Sequence, residues 1–414
     1  MTILVQKYGG SSVANADSIK RVAKRIAETA AAGHQVVGVV SAMGDTTDEL
    51  INLARQVNTE PSDRELDLLL STGETVSCTL MAMALRSMGQ QAIALTGPQA
   101  GIRTDAAFRQ AQIVEISPER MLRELGRGTV PIVAGFQGMT DDMDVTTLGR
   151  GGSDTTAVAL AVALGAEHCE INTDVEGVYT ADPRLVPTAR KLDVVRSDEM
   201  LELARHGARV MHPRAVELGD VYGMPIVVRS SFSDESGTLI SRGGDMALEA
   251  RQRVRGIAHD VDVGRVTVVA VPDRPGIAFA IFDALAQAAI NVDIIVQNVG
   301  REVEADLSFT VSRDILQSAA DVVRPVAEGL GAKAVLASAD LAKISIVGSG
   351  LSLGSGYAAR MFEALADANV NITSITTSEI RITCLIAEED VPRAARSLHA
   401  AFDLEEELPA NGAS

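Results

Sequence analysis

A lysine two positions before a pair of glycines, and an arginine directly before another pair, are the residues of this chain best suited to chemistry on phosphate and carboxylate groups. The first string, KYGGSS from Lys7, follows the short β-type run Ile3-Leu4-Val5 and precedes an amphipathic stretch, Asp17 to Ala31, with Ile19, Val22, Ala23 and Ile26 at helical spacing. Backbone N–H groups at such a strand-to-helix turn cradle anionic oxygens; Gly9 and Gly10 let the main chain approach a phosphate, and Lys7 adds a point charge. The lysine precedes the glycines, so this is not a Walker A loop. The second string, GRGGSDTTA from Gly149, opens another helical pattern and carries Arg150, Gly151, Gly152, Ser153 and Asp154. Together the strings describe phosphoryl transfer, which demands positioning and charge neutralisation more than covalent chemistry.

Further strings, SAMGDTTDELI from Ser41, STGE from Ser71 and TDVEGVYTADPR from Thr173, complete the pattern. In their order and spacing, from Thr2 to about Glu407, they resemble the aspartokinase family: an amino-acid kinase fold followed by two amino-acid-sensing ACT modules. The resemblance implies ATP-dependent phosphorylation of the aspartate side-chain carboxylate to 4-phospho-L-aspartate, the entry to lysine, threonine and methionine. Mg²⁺ would be held mainly by the phosphates, without a protein metal site. A carboxylate acceptor is ionised at neutral pH and needs no general base, so a site without a catalytic histidine is chemically sufficient; His206 and His212 are read as structural. Repulsion between acceptor and γ-phosphate is the obstacle, and Lys7, the N–H groups around Gly9-Gly10 and Gly151-Gly152, and Mg²⁺ are its counter-charges.

Aspartate needs an anchor of each sign. Glu74 suits the α-ammonium and Arg150 the α-carboxylate as a bidentate fork, with Thr47 adding a hydroxyl. The competing readings are a helix-start carboxylate for Glu74 and an exposed loop cation for Arg150. Asp154 is read as holding Lys7 or serving the Mg²⁺ shell through water, with capping of the following helix as the competing reading and compatible with either. The resemblance places Tyr8, Ser41, Thr173, Asp174, Tyr179 and Arg184 around the nucleotide with Lys7, Gly9 and Gly10. It also implies Arg209, where many relatives carry lysine. Rival readings are a kinase for glutamate or N-acetylglutamate, and a catalytically silent amino-acid sensor.

The elements that must hold these residues alternate. Val36 to Val40, Ala92 to Leu95, Val130 to Ala134, His168 to Thr173 and Ile226 to Arg229 read as strands, and Arg64 to Arg86 and Thr155 to Leu164 as helices. This α/β alternation predicts a mostly parallel sheet sandwiched by helices, with ligands at the carboxyl ends of the strands. Residues 1–245 are expected to form the kinase domain, 246–262 a linker, 263–340 the first ACT unit, and 341–414 the second with a tail. An internal repeat supports the last two: FDALAQAAINVDII from Phe282 and FEALADANVNITSI from Phe362 share seven of fourteen residues at an offset of 80. Each unit is expected to follow the ferredoxin-like βαββαβ plan. VGSGLSLG, with Gly348, Gly350 and Gly354, imitates a dinucleotide fingerprint, but its third glycine comes one position late, and it is assigned to a strand–helix turn.

For the regulatory half, Asp273, Gly276, Ile277 and Ala278 form a turn whose N–H groups suit an amino acid's carboxylate. Asn291, Gln297, Asn298, Asn371, Ile372, Ser378 and Glu379 are expected around the same effector, lysine and/or threonine by the resemblance. ACT pairing implies a homo-oligomer, and some relatives add a shorter regulatory chain begun internally, here near Met246. The net charge of −18 opposes a nucleic-acid partner. No apolar run reads as a membrane span and no secretory leader is recognised. Three scattered cysteines, Cys78, Cys169 and Cys384, in apolar runs read as buried thiols in a reducing cytoplasm.

Overall fold

The computed structural model describes residues 2–208, 210–243, 254–299, 304–351 and 355–406. Arg209, Met246 and Gly354 lie outside them. The chain forms two compact units: Met1–Tyr179, Lys191–Arg205 and Arg209–Ala250 make the first, and Thr180–Arg190, His206–Ala208 and Arg251–Ser414 the second.

The first unit's strands are β1 (Ile3–Tyr8), β2 (Gln35–Val40), β3 (Ala92–Leu95), β4 (Ile102–Thr104), β5 (Ile113–Ile116), β6 (Val130–Ala134), β7 (Gln137–Met139), β8 (Val145–Thr147), β9 (His168–Thr173), β10 (Val194–Arg196), β11 (Ile226–Ser230) and β12 (Thr238–Ser241). Its helices are α1 (Ala16–Ala31), α2 (Thr46–Val57), α3 (Asp63–Ser87), α4 (Glu119–Leu125), α5 (Gly152–Leu164), α6 (Ser197–Arg205) and α7 (Pro213–Tyr222). Eight of these strands form one sheet in the order β10-β12-β11-β9-β1-β2-β6-β3, parallel throughout except at β11–β12. A second sheet, β5-β4-β7-β8, lies in the same unit. The central strands are buried almost end to end, as a parallel sheet covered on both faces requires.

Helix α3 corrects one expectation. With 25 residues it is long and apolar enough by composition to span a bilayer. It is nonetheless half buried and carries Asp67 and Glu74 on its buried face, which marks it as a core helix.

The second unit holds β13 (Gly256–Pro272), β14 (Ile295–Val299), β15 (Glu304–Val311), β16 (Ala334–Val347), β17 (Ser374–Thr377) and β18 (Arg381–Ala387), with helices α8 (Ile277–Gln287), α9 (Leu316–Leu330), α10 (Tyr357–Asp367) and α11 (Val391–Ala401). These strands form one sheet, β14-β15-β13-β16-β18-β17. The repeat is accurate to the residue: α8 and α10 start and end 80 positions apart, each capped by a left-handed glycine, Gly276 and Gly356, and each followed by a positive-φ residue, Ala289 and Asn369. Two apolar cores follow, one around Ile281, Phe309 and Val323, the other around Ile344, Leu365 and Leu398.

Two boundaries differ from expectation. Residues 256–260 of the expected linker are a paired strand, joined to β16 from Gly256↔Val347 to Asp260↔Lys343, and Ile257 packs in the second core. The second ACT unit thus borrows its last strand from upstream of the first. Segment Thr180–Arg190 was expected inside the kinase domain. Its Ala181 and Val186 instead bury themselves in that same second core, where Thr180 Oγ1 meets His399 Nε2 at 2.8 Å. Apolar side chains spaced along a loop leave no periodic signal that names their partner, so the exchange is invisible in sequence.

Candidate active site

Strand β1 delivers Lys7 to its own carboxyl end, where helix α5 begins. Lys7 Nζ stands 2.7 Å from Asp154 Oδ1, with both side chains nearly buried. Of the readings open for Asp154, the structure selects the ion pair and rejects the cap: α5 starts at Gly152, three residues before the predicted start, and Gly151 is its N-cap. Asp154 therefore sits in the first helical turn, where the helix dipole favours its charge. Gly151 adopts φ +66 and any Cβ there would lie 2.2 Å from the His212 ring, so only glycine lets α7 approach. From that approach the His212 backbone N–H reaches Asp154 Oδ2 at 3.4 Å. Burial pushes the His212 pKa below its ordinary value, although Asp154 pulls the other way. His212 also caps α7 by accepting from the Arg214 N–H.

The glycines after Lys7 form a tight turn. A Cβ on Gly9 would sit 3.5 Å from Lys7 Nζ, and one on Gly10 would press on the Ala42 carbonyl at 3.0 Å. Gly9 N–H is held by the Asn172 carbonyl, and Gly10 O accepts from Gly44 N. Tyr8 requires a correction: its ring is fully buried among Val13, Ile19 and Ile26, and burial pushes its phenol pKa well up. Only its backbone remains for a nucleotide.

Glu74 lies in the middle of α3, not at its start, and is 3% exposed. The helix reaches the loop after β2 because Gly73 is small; a Cβ there would lie 2.9 Å from that of Ala42. Glu74 Oε1 then accepts the Ala42 N–H at 3.1 Å, and Ser77 Oγ donates to the Ser41 carbonyl at 2.7 Å. Glu74 Oε2 is buried without a hydrogen-bond partner. Desolvation raises the Glu74 pKa to about 7, against the lowering effect of the Ala42 N–H. A buried carboxylate with one satisfied oxygen is prepared for a cationic donor. Thr47, half-buried, is in the first turn of α2. Arg150 is exposed on the loop before α5, and Ser153 is buried beside Asp154.

Thr173 and Asp174 close β9, with Thr173 Oγ1 3.2 Å from Asp174 Oδ1. Tyr179 hydrogen-bonds Glu176 at 3.2 Å, while Arg184 belongs to the second unit and is clasped by Asp182 through Nε and Nη2. The sequence reading missed Asn172, which pairs with Tyr8 across β1 and β9 and is fully buried with both amide atoms unpartnered. Its position between the strand and the TD dipeptide was the available signal.

In the second unit, Gly276 caps α8, Ile277 is buried in the first core, and Asp273 and Ala278 are exposed. Ile277 therefore offers its backbone only, and Asp273 is not the cap. Asn291 is exposed, Gln297 and Asn298 stand exposed on edge strand β14, and Asn371, Ser378 and Glu379 are exposed around edge strand β17, with Ile372 packed on the second core. Ser378 N–H closes a hairpin turn on the Arg381 carbonyl. A cavity of about 70 Å³ opens between Arg265, Asn298, Ser308 and Thr310 on one side and Thr373 and Ser374 on the other. Cys78, Cys169 and Cys384 are free and buried, with burial raising each thiol's pKa.

Comparison with known proteins decides the family. The amino acid kinase family description matches residues 2–230, and ACT domain descriptions match 265–328 and 344–402. Aspartokinase from Mycolicibacterium smegmatis is 48% identical over 407 residues, covering 98% of this chain and 97% of that protein. The chain belongs to the aspartokinase family. It is an aspartate kinase, with an amino-acid kinase domain and two ACT domains. E. coli aspartokinase III in complex with aspartate and ADP, its R-state, matches with TM-score 0.81 at 26% identity, covering 96% of this chain and 99% of that one. The same enzyme with lysine and aspartate, its T-state, matches at TM-score 0.75 and 27% identity over 97% of this chain and 99% of that one.

Proposed function

We propose that this kinase transfers the γ-phosphoryl group of ATP to the side-chain carboxylate of L-aspartate, giving 4-phospho-L-aspartate and ADP. One carboxylate oxygen forms the new bond to phosphorus as the bond to the ADP oxygen breaks, and no proton must be removed. Lys7, held by Asp154, neutralises charge on the transferring group, assisted by the N–H groups of Gly10 and Gly151, those of Gly9 and Gly152 being engaged by the Asn172 and Gly149 carbonyls. Ser41, Thr173, Asp174 and Tyr179 are assigned to the nucleotide. No group of three or more acidic, His or Cys side chains gathers among the described residues, and the nearby Asp154 is paired with Lys7. A magnesium ion bound to the phosphates is part of this reading, where it would add positive charge. Domain limits of 1–245, 263–340 and 341–414 serve this reading, with segment Thr180–Arg190 packed in the second ACT core and β13 shared between the ACT units.

The observation that carries aspartate specificity is Glu74, a buried carboxylate with one oxygen unsatisfied, suited to an α-ammonium opposite Arg150. The test is acyl hydroxamate formation with MgATP, hydroxylamine and a panel of acids. Turnover of aspartate and rejection of N-acetyl-aspartate and glutamate are expected; equal use of N-acetyl-aspartate would remove Glu74 from its role.

Regulation by lysine and/or threonine through the ACT units is the second half of the proposal. It is supported by the likeness to a lysine-bound aspartokinase and by the polar residues on β14 and around β17. Pairing of those two edge strands with a second copy, a cytoplasmic setting and entry into lysine, threonine and methionine synthesis complete the reading.

A further inference from the structure

We propose that Asp67 and Arg214 are positioning residues that together aim Arg150 at the substrate. The inference rests on the reading of Arg150 as the anchor of aspartate's α-carboxylate. Arg150 is exposed, and its side chain has no hydrogen bond or ion pair among the described residues, so its direction depends on its backbone. That backbone is clamped from two sides. Asp67, fully buried on α3, accepts the Thr147 N–H at 2.7 Å and the Arg109 N–H at 2.8 Å with one oxygen, and the Thr147 hydroxyl at 2.7 Å with the other. Arg214, on α7, donates to the Leu148 carbonyl at 3.1 Å and the Ala111 carbonyl at 2.9 Å. Ala111 N–H in turn meets the Thr147 carbonyl at 3.0 Å.

The residues flanking Arg150 have no freedom to adjust. Gly149 adopts φ +77 with space for a Cβ closed by the Arg109 carbonyl at 2.8 Å, and Gly151 is pressed on His212. Arg109 is itself held at φ +68, a conformation that a non-glycine residue keeps only when its surroundings impose it. Neither clamp is an ion pair of ordinary kind: Asp67 spends its charge on backbone and hydroxyl donors, and Arg214 on two carbonyls of different segments. Burial raises the Asp67 pKa and lowers that of Arg214, outweighing the opposing charges of Arg109 on the first and Asp105 on the second. The guanidinium gives each carbonyl its own nitrogen, Nη1 to Leu148 and Nη2 to Ala111, a rigid fork that the single nitrogen of a lysine ammonium does not reproduce.

The experiment measures KM for aspartate and for ATP in Arg214→Lys, Arg214→Met, Asp67→Asn and Asp67→Ala, each also in an Arg150→Ala background. A displaced anchor costs on the order of 10-fold or more in aspartate kcat/KM, with ATP KM changed by less than about 3-fold. Asp67→Asn keeps an acceptor for the two N–H groups and should rescue much of what Asp67→Ala loses. In the Arg150→Ala background the clamp variants should add less than about 2-fold, because the residue they aim is gone. Full additivity, or equal losses for both substrates in folded protein, overturns the proposal. If Asp67→Ala fails to fold, the Arg214 pair decides alone. Should Arg150→Ala leave aspartate KM unchanged, the reading of Arg150 fails first, and the two failures are told apart.

Discussion

Exposed Arg150 and Asp174 apart, the two halves of the molecule place their charged candidate ligand groups in opposite ways. In the kinase unit Lys7, Glu74 and Asp154 are all less than a tenth exposed, each fixed by a neighbour of known distance. In the ACT unit Asp273, Gln297, Asn298, Ser378 and Glu379 are exposed. A group that must stabilise a transition state is preorganised in a low-dielectric site, where its charge counts most and no reorganisation is needed during reaction. A group that senses an effector must distinguish two arrangements of the protein, so it belongs where arrangement changes its contacts. The comparison teaches that substitutions in the first region should strike turnover or stability, and those in the second only the response to effectors.

The largest effect should come from Lys7→Ala, with kcat lowered about 10²–10³-fold and the fold retained. Steady-state kinetics beside a circular dichroism melt check it, and retention of half the activity would dissolve the contrast. Next, Glu74→Ala should raise aspartate KM at least about 10-fold while sparing ATP. The same residue has a pH signature. With its pKa raised to about 7, Glu74 is half protonated at neutrality and pairs poorly with an ammonium below it, so wild-type aspartate KM should fall as pH rises from 6 to 8. A flat profile would show that Glu74 does not meet the substrate.

A smaller effect concerns stability. Because the folded pKa of Glu74 lies above the ordinary value, the folded state holds a proton that the unfolded chain releases, and stability is lost as pH rises from about 4.5 to 7. Glu74→Gln should therefore gain on the order of 1–3 kcal/mol at pH 8 without substrate, with no gain at pH 4. Denaturant titration at both values decides it, and a loss at pH 8 would mean the charge is already satisfied.

The smallest effect on catalysis is expected in the second unit. Asp273→Ala and Ser378→Phe should leave kcat and melting near wild type, since exposed positions seldom matter by more than about 0.5 kcal/mol. Inhibition by lysine or threonine, measured at millimolar effector, should require much higher concentrations. If catalysis falls with inhibition unchanged, the two regions are not divided as described.

Much of this molecule was legible beforehand. The strands 92–95, 130–134 and 168–173 occupy their predicted limits, and the 80-residue repeat returns as two helices of equal length. Local periodicity and self-similarity suffice there because the apolar runs and turn residues that bound each element lie within it or beside it in sequence. The start of α5 was missed by three residues because Gly152 and Ser153 are poor helix formers; they sit where Phe136 and Leu148 leave no room for a Cβ on Gly152 and Ser153 leaves none for one on Gly135.

By itself the sequence determined the residue types, the order of elements, the family likeness and the two ACT units, all properties of short windows. Tertiary structure alone decided that Asp154 pairs with Lys7, that the Tyr8 ring is core, and that Glu74 is mid-helix with one oxygen unsatisfied. It also decided that strand 256–260 and segment 180–190 serve the second ACT core. Apart from the Tyr8 ring, whose neighbours include nearby Val13, the deciding partner lies far away in sequence, and a buried charge or apolar side chain takes its meaning from whatever the fold sets against it.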